Sequence, residues 1–511
     1  TLLDDAQAAG LNAVIFQVRS MGEAMYISTI EPWSQYLTGT QGQAPSPLWD
    51  PLQFTIDECR RRCMEIHAWF NPYRVGSAHA SSFNYAPNHV LNTHPQIVEY
   101  ISPGSDKFYW LNPGHPDTIP YIMSVILDVV KRYDVDAIHF DDYFYPSNYD
   151  YPDTAEYNAY KAGGGTLSLG DWRRQNVNDL ISQVRPAIAS IPGKQHVRFG
   201  VSPAGIWQSG SPPGIVGNSA YSALFADTRK WLQEGWVDYF APQMYWGMAE
   251  DGHSTQQDYD TLLNWWTNSV QNPLGRPVFP GLAAYKIPNA GWNAQHIVNE
   301  VIYTQNSSPA KGNIFFRAEN LLGSGTGGLS TLLKAGPYQV DAAPPVFTHM
   351  DNVPPAQPSL AWNGSAGTGY TLYWTPQGSE YPQWYIVYWT SNGTTWSHKV
   401  VPDWQRSLAL PGSSIQAAVQ AVDRLGNRSS MTPVSLASAS PPIPPQLTSI
   451  TMFDHDSTPL DFFNGSGTNS GVTPGTDTES TEEANNRIDP RAGSPGTRSR
   501  KVPFTWTASS G

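Results

Sequence analysis

The chain predicts a (β/α)8 TIM barrel followed by a small all-β sandwich, on three observations. Short apolar runs alternate with amphipathic segments from residue 1 to about residue 340, the pattern of a parallel sheet covered by helices. Carboxylates, arginines and aromatics gather just after the apolar runs, at the strand ends where barrel enzymes keep their sites. Beyond Ala342, Pro-rich stretches give way to short alternating runs separated by Gly, Asn and Ser, which suits a sandwich.

In chain order, Leu2 to Ala9 reads as a helix stopped at Gly10, and Asn12 to Val18 as a buried strand ending in Arg19. A long loop bearing Pro and Trp follows. Pro51 to Met64 then reads as helix and Glu65 to Phe70 as strand, and a second long loop runs to Trp110. Thr118 to Lys131 is an amphipathic helix leading into the apolar run that ends at Asp141-Asp142. The later helices are Trp172 to Ser190, Ser222 to Glu234, Tyr259 to Val270 and Ala294 to Gln305. The strands between and after them are Val197 to Ser202, Val237 to Ala241, Val278 to Leu282 and Asn313 to Phe316. Ser330 to Lys334 closes the region.

Seven strands with one helix ahead of the first imply that a first strand lies upstream of Thr1. An open doubly wound sheet is the competing architecture, but no Gly-rich phosphate loop follows any strand. The expected organisation is a barrel over residues 1–340, a Pro-rich linker over 341–356, a sandwich over 357–440 and a Pro-rich, low-complexity tail over 441–511. Ser457 to Arg500 is expected to be largely disordered, and Val502 to Trp506 to form a stray strand. Every candidate site residue lies before the linker, so the sandwich is expected to be a spacer or adhesion element whose removal leaves the site intact.

Composition narrows the partners. A formal charge of −13 argues against nucleic acid, and no apolar run approaches the length of a membrane span. The chain opens with neither the basic nor the apolar region of a signal peptide. With 19 Trp and 26 Tyr, the aromatic load exceeds what packing needs, and flat aromatic faces suit sugar rings. Cys59 and Cys63, four apart in an expected helix, are read as free thiols.

Six motifs occur in order: Asn12 to Arg19, Pro32-Trp33-Ser34, His67 to Arg74, Ile138 to Pro146, Phe199 to Trp207 and Ala241 to Trp246. Together they resemble a bacterial glycosyl hydrolase-like TIM-barrel family whose members include glycosidases acting on peptide-free (denuded) peptidoglycan. The resemblance covers about Thr1 to Lys334. It implies an exported cell-envelope enzyme cleaving a bacterial cell-wall glycan. No cofactor is expected, and His67 and His139, which could bind a metal, lack close ligand spacing. Asp117 stands where the family commonly has Glu. Ala421 to Arg428 is similar to the last strand and loop of a fibronectin type III module.

Glycoside hydrolysis needs one protonated and one ionised carboxyl group. Strand alternation puts His139 and Asp141 on the axis side and Asp142 on the other, so Asp141 is expected to be nucleophile or base, with Asp142 orienting its neighbours. Glu319 is the first candidate for proton donor and Glu23 the second. Arg19, Asn71, Arg74 and Gln243 are expected to bond sugar or acetamido groups, with neutralisation of the carboxylates as the alternative for the arginines. His67 and His139 bond sugar hydroxyls or satisfy the core. Trp69, Tyr73, Tyr143, Tyr145, Trp207, Tyr245 and Trp246 offer stacking faces, half of them expected in the core. The alternative function is a non-catalytic carbohydrate-binding or envelope scaffold protein.

Overall fold

A computed structural model describes residues 1–443 apart from 78–84, 104–105, 289–290, 308–309 and 324–325. The expectations for Ser457 to Arg500 and Val502 to Trp506 lie outside the described residues. β1 (Ala13–Arg19), β2 (Glu65–Phe70), β3 (Ala137–Phe140), β4 (Arg198–Val201) and β5 (Tyr239–Phe240) form a parallel sheet in that order. β6 (Gly281–Leu282) and β7 (Ile314–Phe315) pair in parallel, and the bridges Phe240–Val278 and Gln243–Gly281 join them to β5. Seven parallel strands therefore follow one another in chain order. No ladder bond links β7 to β1 among the described residues.

Helices α1 (Leu2–Ala8), α2 (Pro51–Arg61), α3 (Thr118–Arg132), α4 (Leu169–Ala189), α5 (Thr228–Gln233), α6 (Tyr259–Thr267) and α7 (Ala294–Asn306) alternate with the strands. Local chemistry starts several of them. The Asp50 carboxylate caps the amides of Leu52 and Gln53 with Pro51 in the first turn, and Ser168, Asp258 and Asn293 cap α4, α6 and α7 in the same way. On α3, Tyr121, Ile122, Val125, Ile126, Val129 and Val130 form one buried stripe at helical spacing, which joins Ile138 and Phe140 of β3 in the main core.

Three expectations about elements change. The helix expected to run to Met64 stops at Arg61, because Cys63 has φ 57° and cannot continue it. The helix expected over Ser222 to Glu234 is two pieces, Ala220–Ala223 and α5, parted by Phe225 with φ 49°. The loop before Trp110 contains an antiparallel sheet of Arg74–Ser77, Phe108–Leu111 and Val98–Ile101, whose strands are too short to show a period.

The inward side of the sheet is filled by a polar layer above an apolar one. Tyr239 reaches across β4 because Gly200 has no side chain; a Cβ there would lie 2.0 Å from the Tyr239 ring. The Tyr239 hydroxyl meets His67 Nδ1 at 2.9 Å and His139 Nδ1 at 2.8 Å. Towards the strand starts, Glu65 pairs with Arg198 at 2.8 Å.

The amino-terminal mouth is closed by the linker and the second region. Phe347, from the Pro-rich linker, is 1% exposed and packs with Ala137, Tyr239, Ala241 and Leu425. Arg198 lies over the Phe347 ring at 4.7 Å. Arg424 pairs with Asp134 and Asp136, and His349 with Asp238. The linker is thus a packed floor and not a free spacer. Beyond it, Ser359–Ser365, Gly369–Thr375 and Ser407–Leu410 form one antiparallel sheet. Ser397–Pro402, Trp384–Thr390, Gln416–Val422 and Val434–Ser435 form the other. Trp362, Leu372, Trp374, Tyr385, Val387 and Val419 belong to one core shared by the two sheets. Among the described residues, no helix is long and apolar enough to cross a membrane.

Candidate active site

β3 ends at Phe140, and the end of the strand decides the site. Alternation holds only while the backbone stays extended, so it no longer sets the directions of Asp141 and Asp142. Trp69, one residue before the end of β2, donates its Nε1–H to Asp141 Oδ2 at 2.8 Å, and the Tyr143 amide reaches Oδ1 at 3.4 Å. Asp142 stands beside Gln243, which favours its charged form and also donates to Ser202 O at 2.8 Å. Tyr245 lies within electrostatic reach of both carboxyls.

Asp141 is 4% exposed. Burial first, and the charge of Asp142 second, push its carboxyl up to about 8; the Trp69 bond pulls the other way but loses. Burial also raises Asp142. At neutral pH the proton therefore sits on Asp141. Two adjacent carboxyls pushed up together, with no paired cation on either among the described residues, are equipped for proton transfer.

Aromatic residues line the approach. Phe316, directly after β7, lies 6.4 Å from the Trp69 ring, 6.0 Å from Tyr245 and 6.0 Å from Tyr285. On the other side Tyr143, 44% exposed, holds the Arg74 guanidinium 5.0 Å from its ring centroid. Sequence reasoning missed Phe316 and Tyr285 as site residues. Their position just after the last two strands was the available signal.

Other candidates are drawn elsewhere. Arg19 is consumed by Glu31, which it meets through Nε and Nη2 at 2.7 to 3.0 Å, and it also donates to Asn71 O. His67 and His139 lie in the inward polar layer, held by Tyr239. Asn71 is fully buried and caps the Arg74 amide. Tyr73 and Tyr145 are core residues against Phe144 and Tyr151. Trp207 stacks on Trp265, and Trp246 packs against the main core over Gly205. Glu23 accepts bonds from Ser34, Gln35 and Gln41 within its own loop. Glu319 is exposed and paired with Arg317. Glu23 is thus buried but with its oxygens taken by donors of its own loop, and Glu319 is exposed and ion-paired.

A family model described as "Glycosyl hydrolase-like 10" matches residues 1–298. The chain belongs to this family. Glycosyl hydrolase YngK of Bacillus subtilis (strain 168) is 38% identical over 374 residues, covering 70% of this chain and 70% of that protein. Glycosyl hydrolase DigH of Escherichia coli (strain K12) is 40% identical over 299 residues, covering 56% of this chain and 65% of that protein. Among solved structures, alpha-L-fucosidase isoenzyme 2 from Paenibacillus thiaminolyticus aligns with 13% identity and a TM-score of 0.42, over 66% of this chain and 46% of that one. Membership supports a glycosidase-type function for the half of the chain that carries Asp141 and Asp142.

Proposed function

We propose that the protein is an exported glycoside hydrolase that cleaves a bacterial cell-wall glycan, with peptide-free peptidoglycan strands as the substrate. The observation that carries the chemistry is the adjacent pair of carboxyls at the end of β3, Asp141 buried and Asp142 half-buried, with no ion pair to either among the described residues. Family membership and the aromatic lining support a sugar polymer as the ligand. The cell-envelope location and the wall glycan rest on the resemblance of the six sequence motifs. The seven strands in chain order support a (β/α)8 barrel, and the two facing antiparallel sheets support a fibronectin type III-like module.

In this reading the roles differ from the sequence expectation. Asp141 holds the proton and delivers it to the glycosidic oxygen as the bond to the anomeric carbon breaks. Asp142 is the ionised partner, stabilising the positive charge that develops on the sugar ring. Water supplies the hydroxyl that ends on the anomeric carbon, and its other proton returns to Asp141, which restores the acid. Trp69 fixes the Asp141 rotamer, and Gln243 does the same for Asp142. Product analysis on peptide-free strands, intact peptidoglycan and a neutral α-glucan tests the proposal. Release of shorter strands from the first alone is the expected result. Retention of strands with no products at any enzyme concentration would replace hydrolysis by carbohydrate binding.

A further inference from the structure

One carboxylate and three rings form a hydrogen-bonded chain across the inward side of the sheet. Glu65 Oε2 meets His67 Nε2 at 3.3 Å, and His67 Nδ1 meets the Tyr239 hydroxyl at 2.9 Å. The same hydroxyl meets His139 Nδ1 at 2.8 Å. The chain stops at His139 Nε2, which has no hydrogen-bond partner among the described residues. We propose that Glu65, His67 and Tyr239 fix His139 as its Nδ1–H tautomer, so that the bare Nε2 accepts a hydrogen bond from a hydroxyl of the sugar bound at the site. The inference rests on the glycosidase reading for its ligand. It adds a specificity-determining residue, with three positioning residues behind it.

The direction of each bond follows from the group at its end. Burial opposes the charge of Glu65, but the Arg198 guanidinium at 2.8 Å prevails and holds the carboxyl below its ordinary range. A carboxylate only accepts, so the one ring proton of neutral His67 is on Nε2 and its Nδ1 is bare. Burial keeps the Tyr239 phenol protonated, and its one proton goes to His67 Nδ1. The Tyr239 oxygen then accepts from His139, which places a proton on His139 Nδ1. Burial first, and His67 second, push His139 down to about 3. At neutral pH it therefore has one ring proton, and Nε2 keeps its lone pair.

That lone pair meets the site and not the core. His139 lies two residues before Asp141, in register with Trp69 of β2 and Gly200 of β4. On the other side, Phe347 closes the floor with Ala137 and Tyr239. His139 is 3% exposed, and Nε2 is not among the polar atoms that the described residues seal from solvent without a partner. The opening left to it is the carboxyl mouth. The ring is held flat against Tyr239, with centroids 5.8 Å apart and planes 18° apart. A fixed acceptor there favours a hydroxyl or an N–H of the ligand, whereas a carbonyl oxygen in the same place would meet a second lone pair with no proton between them.

The test uses the full chain with isotope-labelled histidine, because in nitrogen NMR a bare ring nitrogen resonates well apart from a protonated one. Signals are assigned by their loss in His67→Gln and His139→Gln. Opposite tautomers are expected without any glycan, with the proton on Nδ1 in His139 and on Nε2 in His67. Tyr239→Phe keeps the ring and removes the hydroxyl, so His139 should become a mixture of tautomers. Its kcat/KM on peptide-free peptidoglycan strands should fall about 3- to 10-fold. His139→Leu should lose about 10-fold or more, and His139→Gln, whose amide oxygen accepts, should recover part of the loss. In Asp141→Asn, adding the strands should move the bare Nε2 resonance. A proton on His139 Nε2 in the parent would overturn the tautomer and the acceptor together. An Nε2 signal that stays still while Asp141→Asn retains the strands would overturn the sugar contact and leave hydrolysis standing. Strands neither cleaved by the parent nor retained by the variant would overturn both the sugar contact and the glycosidase reading.

Discussion

The two ends of β3 carry the same residue type in opposite states. At the amino end, Asp134 and Asp136 meet Arg60 and Arg424, and Asp136 also accepts from the Ile66 amide. The Arg60 and Arg424 charges overcome the cost of burial and hold the Asp136 carboxyl well below the usual range. At the carboxyl end, five residues on, Asp141 and Asp142 have no paired cation among the described residues, and burial drives both upward. One pair of aspartates holds the floor together. The other keeps a proton where chemistry can use it. A buried carboxylate is therefore no sign of function by itself; its pairing decides.

The largest effect that would test this contrast comes from Asp141→Asn. It should lower turnover by about 10²- to 10⁴-fold, as expected for the loss of a general acid. It should not destabilise the fold. A carboxyl whose folded pKa is raised contributes stability that is complete below its unfolded pKa and lost as pH rises towards 8. Asn removes that loss, so the variant should melt higher than the parent at pH 7 to 8 and alike near pH 4. Thermal melts at the two pH values, beside product release, check both statements.

Asp136→Asn should do the reverse. Removing one partner of a buried pair costs about 3–5 kcal/mol, while turnover per folded molecule stays near the parent's. Denaturant titration with activity normalised to folded protein separates the two. Since the Asp136 pKa is depressed, its contribution is present above the unfolded value and is lost as the pH falls below about 4.

Phe347→Ala empties the floor under Tyr239 and should cost about 3–5 kcal/mol as a large-to-small change in a core. Cutting the chain after Val340 should destabilise the parallel-sheet region for the same reason. An equal melting temperature for the shortened chain would restore the view of the sandwich as a spacer.

The pH profile is a finer probe. Turnover should fall on the alkaline side with a midpoint near 8 as Asp141 loses its proton. Trp69→Phe removes the bond that favours the ionised form, so its alkaline limb should move to higher pH, with a loss of about tenfold or less in kcat. An unmoved limb would take the proton away from Asp141.

Local pattern alone was enough to place the parallel strands, the main helices and the two aspartates where an apolar run stops, because periodicity and abrupt polarity are properties of neighbours in the chain. It also placed Trp69 and Gln243 at strand ends. Partner choice was not local. Arg19 and Arg74 look alike as residues following buried strands, yet Glu31 and the loop that carries it neutralise one and leave the other facing the cleft. Alternation could not decide the side on which Asp142 lies, because the strand ends at Phe140 and hydrogen bonding across the sheet sets that end. Phe347, read as part of a spacer, became a floor because the inward side of the sheet had apolar surface to bury and the sandwich brought Arg424 to two aspartates that needed a cation. Sequence determined which groups are available at each strand end. Tertiary structure decided which of them are satisfied, since satisfaction depends on charges and surfaces brought together from distant parts of the chain.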